Sequence, residues 1–302
     1  MRAGAPTEPF RFLFWPAIRA SFQPRAKERR SVAPAALHCS VLDMGFVPNH
    51  ILATAEDVAT PQSDGRVFLM PGSPARALRI AENFSELRTI ESPRGHDVYV
   101  GYFERDGRRV ELGCVSSGMG CPSLGIIARE LIELGVRRIV RVGSAGSLQE
   151  TVRSGHVVIA TGAVRDEGAS DAYAPREFPA LAAPALTSAL EHAARRLLPP
   201  ATYHLGIVHS KDSLYGREFG DGPLRESNDR YIEELTALGV AASEMEASHL
   251  FVLAQVHRIE AACVLGILGG PNIHSTAEER DQAVRWSIDV ALEAALEFAG
   301  SG

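Results

Sequence analysis

The sequence predicts an α/β fold in which a largely parallel sheet carries helices on both faces, built as one domain over residues 44–302. Three observations predict it. Short apolar, β-branched runs alternate with longer stretches of helical period along almost the whole span. Several of the runs end in glycine turns that open directly into a helix, as the crossovers of a parallel sheet do. No internal repeat of about 20–50 residues and no linker-like stretch divides the chain.

The elements follow in order. Residues 66–70 read as a buried strand, and 73–84 as a helix with Ser73 as N-cap and Pro74 at its first position, where a missing N–H costs nothing. Strands at 99–103 and 110–117 flank the turn Arg105-Asp106-Gly107. Residues 123–134 form an amphipathic helix stopped by Gly135. Strands follow at 138–142 and 156–160, then a helix at 186–198 ended by Pro199-Pro200 and a strand at 205–209. A helix at 248–257, a strand at 261–268 and a long helix at 277–299 complete the pattern.

Residues 1–43 differ: rich in Pro, Arg and Ala and without apolar periodicity, they read as a disordered extension, or as an early start with Met44 as the true first residue. The composition of the whole chain is that of a soluble globular protein, with 45% hydrophobic and 23% charged residues among 302. A formal net charge of -6 argues against a general nucleic-acid or anionic-membrane binder, so any anion site must be local. Cys39, Cys114, Cys121 and Cys263 are scattered without metal-finger spacing, the pattern of a reduced, cytoplasmic protein. No apolar run is long and clean enough to span a bilayer.

Two segments point to a multiply charged anion. Pro71-Gly72-Ser73-Pro74-Ala75-Arg76 starts a helix at a strand end, where free N–H groups attract anions, and Arg76 stands where a capping box would place Glu or Gln. A cation there opposes the helix dipole unless an anion lies beside it; the plainer alternative is a surface arginine. Arg141 lies within the apolar run Ile139-Val140-Arg141-Val142 and must pair either with a carboxylate or with a ligand. The following Gly143, Ser144 and Gly146 read as a close-approach turn with a hydroxyl donor. Guanidinium forks and backbone N–H groups suit phosphate. Ser117 to Ser123 is a further glycine turn, matching a dinucleotide fingerprint only loosely.

Ser243-Glu244-Met245-Glu246 adds acids at a strand-to-helix junction. Ser243 with Glu246 three residues on is a capping-box pattern; the functional alternative has Glu246 accepting hydrogen bonds from ribose hydroxyls. Residues 210–217 mix a polar turn with an apolar platform, either a lining for a flat base or a strand end with a β-turn.

Taken together and in order, PGSPAR, SSGMGCPS, RELIELGVRRIVRVGSAGSL, SGHVVIATGAVRDEGAS, APREFPAL, HSKDSLYG and SEMEASHLF resemble the nucleoside phosphorylase family, most closely its uridine phosphorylase branch. The resemblance runs over about residues 50–295. It implies a three-layer α/β/α domain with a mixed, partly barrel-like central sheet, and homo-oligomers, usually hexamers built from dimers that share their active sites. By position it implies Gly72, Arg76, Arg141 and Ser144 as phosphate ligands, with Arg94 lent by a neighbouring subunit. It likewise implies Met245 and Glu246 at the ribose, His50 from the neighbour at the ribose 5′-hydroxyl, and Leu214 in place of a base-stacking phenylalanine. Arg217 and Phe219 stand nearest the positions that read a uracil edge. Arg141 and Glu246 are the expected catalytic pair, with inorganic phosphate as co-substrate and neither metal nor organic cofactor. The partners it implies are therefore a small nucleoside and phosphate. The chain departs from the family after the late strand, where Gly269-Gly270-Pro271 replaces the aspartate of purine-cleaving relatives and the Asn-Arg common in pyrimidine relatives.

Overall fold

The computed structural model describes residues 46–58, 66–270 and 275–299. The expectations for residues 1–43 and for Pro271 lie outside these. In chain order the elements are α1 (Ala55–Val58), β1 (Val67–Met70), α2 (Pro74–Ala81), β2 (Ser85–Ile90), β3 (Val98–Arg105), β4 (Arg108–Val115) and α3 (Cys121–Glu133). Then come β5 (Arg138–Ser147), β6 (Val157–Asp166), a short 3-10 turn at Ala169–Ala172, β7 (Ala180–Leu181) and α4 (Pro184–Leu197). The last are β8 (Tyr203–Lys211), α5 (Leu214–Glu218), α6 (Arg225–Ala237), β9 (Ala242–Glu244), α7 (Ala247–His257), β10 (Glu260–Gly269) and α8 (Ala277–Ala299).

The strands form one sheet in the order β10-β6-β8-β9-β5-β1-β4-β3-β2, with β7 beside β6. Because β10 also pairs with β5, the strands β5, β10, β6, β8 and β9 close on themselves as a barrel. The sheet is mixed where alternation of strands and helices predicts a largely parallel one. β2, β3 and β4 follow one another without a helix between them, and adjacent strands joined by short turns pair antiparallel. β1 remains parallel to both β4 and β5, as helical crossovers require.

Side chains partition with the period of two that strands impose. Phe68 and Met70 pack into the core that holds Leu124 and Ile127 of α3 and Leu250 and Phe251 of α7. Val67 and Leu69 face the opposite core, with Ile80 of α2, Leu190 of α4 and Val290 of α8. That is the three-layer arrangement. Helix α7 has no polar face over Ala247–Ala254, all of it buried, as expected of a helix enclosed on every side.

The barrel strands extend beyond their apolar runs. β5 continues through Gly143, Ser144 and Gly146, so the expected turn there is strand. Its partner β10 stays in register from Glu260↔Arg138 as far as Ile267↔Ala145, which supplies the backbone pairing that glycines alone would not specify. Gly143 is needed for space: a Cβ there would meet Leu265 Cδ2 at 2.6 Å and the Arg141 guanidinium at 3.0 Å. The strand thus bares its backbone where Arg141 lies across it.

Candidate active site

At the open end of the barrel, a cavity of about 670 Å³ collects the turns after β1 and β4, the glycine-rich half of β5, and β9 with the start of α7. Ser73 caps α2 as predicted, its hydroxyl accepting the Arg76 N–H at 3.2 Å with Pro74 at the helix start. The cap turns Arg76 into the cavity, where its guanidinium donates to Val142 O at 3.2 Å and Ser144 Oγ at 3.4 Å. Burial, and then the charge of Arg141, lower the Arg76 pKa to about 10. Two cations held this close destabilise one another, and an anion between them would relieve that.

Arg141 is 3% exposed. Its Nε donates to Glu244 Oε2 at 3.0 Å and its Nη2 to Glu246 Oε2. Burial alone would push its pKa down, but Glu246 and Glu244 more than offset that and raise it. The carboxylate alternative for Arg141 therefore holds, and its third nitrogen, Nη1, is buried without a hydrogen-bond partner among the described residues. An unsatisfied guanidinium nitrogen is costly, and an anion oxygen would satisfy it.

The capping-box reading of Ser243 and Glu246 is corrected by the structure. Glu244 does the capping, its carboxylate accepting the Glu246 N–H at 2.9 Å and the Ala247 N–H at 3.0 Å. Ser243 cannot serve, because it is extended in β9, paired with Gly146, and its hydroxyl meets His209 and Lys211. Glu246 is free of helix duty. Its Oε1 accepts the Gly120 N–H at 2.5 Å, which is where the glycine turn of residues 117–123 is used. Burial raises the Glu246 pKa, with Arg141 opposing.

The far end of the cavity holds Lys211, Leu214, Glu218, Phe219, Leu268, Gly269 and Gly270. Lys211 is buried and pairs with Glu218 Oε2 at 2.7 Å. Ser213 caps α5, accepting the Gly216 N–H at 3.1 Å, so the polar turn after β8 becomes a short helix that presents Leu214 and Glu218.

A model of the phosphorylase superfamily matches residues 66–300. The chain belongs to the phosphorylase superfamily. It is 36% identical over 248 residues to the uridine phosphorylase of Treponema pallidum (strain Nichols), covering 81% of this chain and 92% of that one. It is 33% identical over 233 residues to the uridine phosphorylase of Escherichia coli (strain K12), covering 74% and 90%. It is also 36% identical over 250 residues to the DeoD-type purine nucleoside phosphorylase of Streptococcus thermophilus (strain ATCC BAA-491 / LMD-9), covering 81% and 97%.

Of the site residues expected from sequence, this superfamily member gathers Gly72, Arg76, Arg141, Ser144, Leu214, Met245 and Glu246 around one cavity. His50, Arg94 and Arg217 do not line it. His50 Nδ1 lies 2.6 Å from Glu130 Oε1, and the N–H groups of Asn49, His50 and Ile51 donate to the same carboxylate. Burial would raise the Glu130 pKa, but His50 and those three donors hold it below the usual range. Arg94 is exposed on the loop between β2 and β3, its N–H donating to Ser92 Oγ at 3.2 Å. Arg217 faces away from the cavity, clamped to Asp166 by Nε at 2.8 Å and Nη2 at 3.0 Å, bonded to Asn228 and stacked over Tyr231. Successive residues of a helix point about 100° apart, so in the short α5 Glu218 lines the cavity with Leu214 while Arg217 does not.

Sequence reasoning missed Glu244, Lys211 and Glu218. The signal for Lys211 was akin to that of Arg141 within its apolar run: a cation just after the strand-like run Leu205-Gly206-Ile207-Val208-His209 has to find partners. Among the described residues no group of three or more His, Cys, Asp or Glu is placed to hold a metal ion. No helix there is long and apolar enough to cross a membrane. Cys114, Cys121 and Cys263 are free and buried.

Proposed function

We propose that this enzyme is a nucleoside phosphorylase, with uridine or a related pyrimidine nucleoside as substrate. The observation that carries the reading is Arg141 Nη1, a buried, unpartnered guanidinium nitrogen in a cavity it shares with Arg76, Ser144 and Glu246. Phosphate takes the Arg76, Arg141 and Ser144 end, where it supplies Nη1 with an acceptor and separates the two guanidinium charges. Ribose lies over Met245, with its hydroxyls donating to the Glu246 carboxylate. A phosphate oxygen then attacks the anomeric carbon as the C–N bond to the base breaks, and the bonding electrons leave with the base. Free base and (deoxy)ribose 1-phosphate result.

The arginines orient the nucleophile, and Glu246 holds the sugar and balances positive charge gathering on it. Arg141 and Glu246 are the catalytic residues in this reading. Inorganic phosphate is the co-substrate, with no metal or organic cofactor. His50 and Arg94, lying off their own chain's cavity, serve a neighbour's site in a dimer-based homo-oligomer. A cytoplasmic enzyme with small-molecule partners fits the composition.

The DeoD-type relative, as similar as the uridine phosphorylase of Treponema pallidum, supports a purine nucleoside as second reading. Free-base release from uridine, thymidine, inosine and adenosine, with and without phosphate, tests both. Phosphate-dependent release from the pyrimidines is expected. Release from purines alone transfers the assignment to the second reading, release without phosphate makes the enzyme a nucleosidase, and binding without release leaves a non-catalytic nucleoside binder.

A further inference from the structure

The cavity holds one ion pair that neither phosphate nor ribose uses. Lys211 is 1% exposed, and an ammonium so placed must direct all three of its donors. One goes to Glu218 Oε2 at 2.7 Å and one to Ser243 Oγ at 2.8 Å. The third has only Glu244 O, at 3.5 Å, the limit of a hydrogen bond. Glu218 is likewise half used. Its Oε1 has no partner among the described residues and lies over Gly146, where a Cβ would stand 2.9 Å from it. That glycine is two residues beyond Ser144 on β5, and Glu218 lines the same cavity as both.

The pair is held in place from behind. Ser243 Oγ lies 3.0 Å from His209 Nδ1, and His209 Nε2 lies 3.0 Å from Asp166 Oδ2. One assignment satisfies the whole row: Lys211 donates to Ser243, Ser243 to His209, and His209 to Asp166, which Arg217 also clamps. The ammonium therefore cannot swing away from the cavity without breaking the row. Leu214 and Phe219 supply apolar walls suited to a flat ring.

We infer that Lys211 and Glu218 read the base, Glu218 Oε1 accepting a ring N–H and Lys211 Nζ donating to the carbonyl oxygen beside it. This rests on the phosphorylase reading and deepens it. The class defined is bases with a ring N–H next to a carbonyl: the imide edge of uracil and thymine, or the lactam edge of hypoxanthine and guanine. Cytosine and adenine turn a bare ring nitrogen toward the carboxylate, acceptor against acceptor, and are rejected. Lys211 also faces the carbonyl oxygen on which the leaving base gathers negative charge, so it acts on turnover as well as on binding.

The test compares phosphate-dependent base release from uridine, 3-methyluridine, cytidine, inosine and adenosine by the wild type, Glu218→Ala and Lys211→Met. Calorimetry with free uracil, hypoxanthine, cytosine and adenine accompanies it. The wild type is expected to favour uridine or inosine over 3-methyluridine, cytidine and adenosine by about 100-fold or more in kcat/KM. Glu218→Ala should lower kcat/KM for the preferred nucleoside about 100-fold and, if that is uridine, bring its ratio to 3-methyluridine within about 10-fold. A merely structural role would not move that ratio. Lys211→Met should lower kcat more than it raises KM. Glu218 is partly open to solvent and forms no hydrogen bond or ion pair with Arg76 or Arg141, so phosphate should still raise the melting temperature of Glu218→Ala and certify its fold. Comparable use of cytidine or adenosine by the wild type, or an unchanged base ratio in Glu218→Ala, overturns the inference while leaving the phosphorylase standing. If no nucleoside releases base, the phosphorylase reading fails, and calorimetry decides the pair alone. Binding of uracil or hypoxanthine but not cytosine or adenine, lost in Glu218→Ala, upholds it; equal binding of all four refutes it.

Discussion

Replacing Arg76 by methionine separates an anion site from a structural arginine. Among the described residues Arg76 hydrogen-bonds only to neutral acceptors, at 3.2 and 3.4 Å, and burial with repulsion from Arg141 and Arg79 outweighs the attraction of Glu246. Methionine keeps most of the side-chain volume and removes the repulsion, so the unliganded stability should change by less than about 1 kcal/mol. With phosphate bound, Arg76 becomes a charge-assisted donor, and its loss should cost about 1.5–3 kcal/mol of binding, or roughly 10–150-fold in Kd. At a phosphate concentration of about 100 times the wild-type Kd, ligand stabilisation is about 2.7 kcal/mol. A 100-fold weaker site leaves about 0.4 kcal/mol at that concentration. Thermal unfolding across a phosphate series reads the difference: the wild type should gain roughly 5–10 °C, and Arg76→Met about 1–2 °C. A variant that keeps the full phosphate-induced rise refutes the placement of phosphate beside Arg76. One that loses more than about 3 kcal/mol without phosphate refutes the claim that this arginine is poorly satisfied in the free protein.

Other outcomes follow from the same geometry. Glu246→Gln retains an acceptor for the Gly120 N–H and takes nothing from the α7 cap, so its far-ultraviolet spectrum and cooperative unfolding should persist while kcat falls by about 100-fold or more; wild-type turnover would remove Glu246 from the chemistry. Burial raises the Glu246 pKa, so the protein binds that proton more tightly folded than unfolded. Its ionised form should then be lost on acidification from above the ordinary glutamate range, giving an acid limb in kcat/KM for the nucleoside at saturating phosphate. Burial would also raise the Glu293 pKa, but bonds from Arg108 and Arg105 and the charge of Arg196 lower it, so its stabilisation is complete above the unfolded pKa and disappears as pH falls through the lower, folded one. With arginines that are partly solvent-exposed as partners, Glu293→Gln should cost about 1–3 kcal/mol in urea unfolding at neutral pH. Gly266→Ala would place a Cβ 2.4 Å from Ala283 O of α8, and since backbone must move, a loss of about 1–3 kcal/mol is expected in the same assay.

Much of the fold was legible because its signals are local. Apolar period, Ser73-Pro74 and Gly135 place β1, α2 and the end of α3 within a few residues. β2 was not legible: every residue of Ser85–Glu86-Leu87-Arg88-Thr89 is exposed, so no hydrophobic alternation marks it, and only pairing with β3 makes it a strand. The extension of β5 through its glycines was hidden for a related reason, since partners on both sides impose an extended backbone that the residues themselves do not prefer.

For the site, the residues alone determined that Arg141 needs a counter-charge or a ligand, that Arg76 sits at a helix start suited to an anion, and that both belong to a nucleoside-phosphorylase pattern. Only the tertiary structure decided how those needs are met. Closing the barrel brings β9 against β5, which spends two nitrogens of Arg141 on Glu244 and Glu246 and leaves the third without a partner among the described residues. The single turn of α5 exchanges Arg217 for Glu218 as the side chain that enters the cavity. Capping and strand-forming tendencies act over a few bonds and can be read along the chain. Which buried charge finds which partner depends on contacts between residues about a hundred positions apart, and these exist only once the sheet has closed.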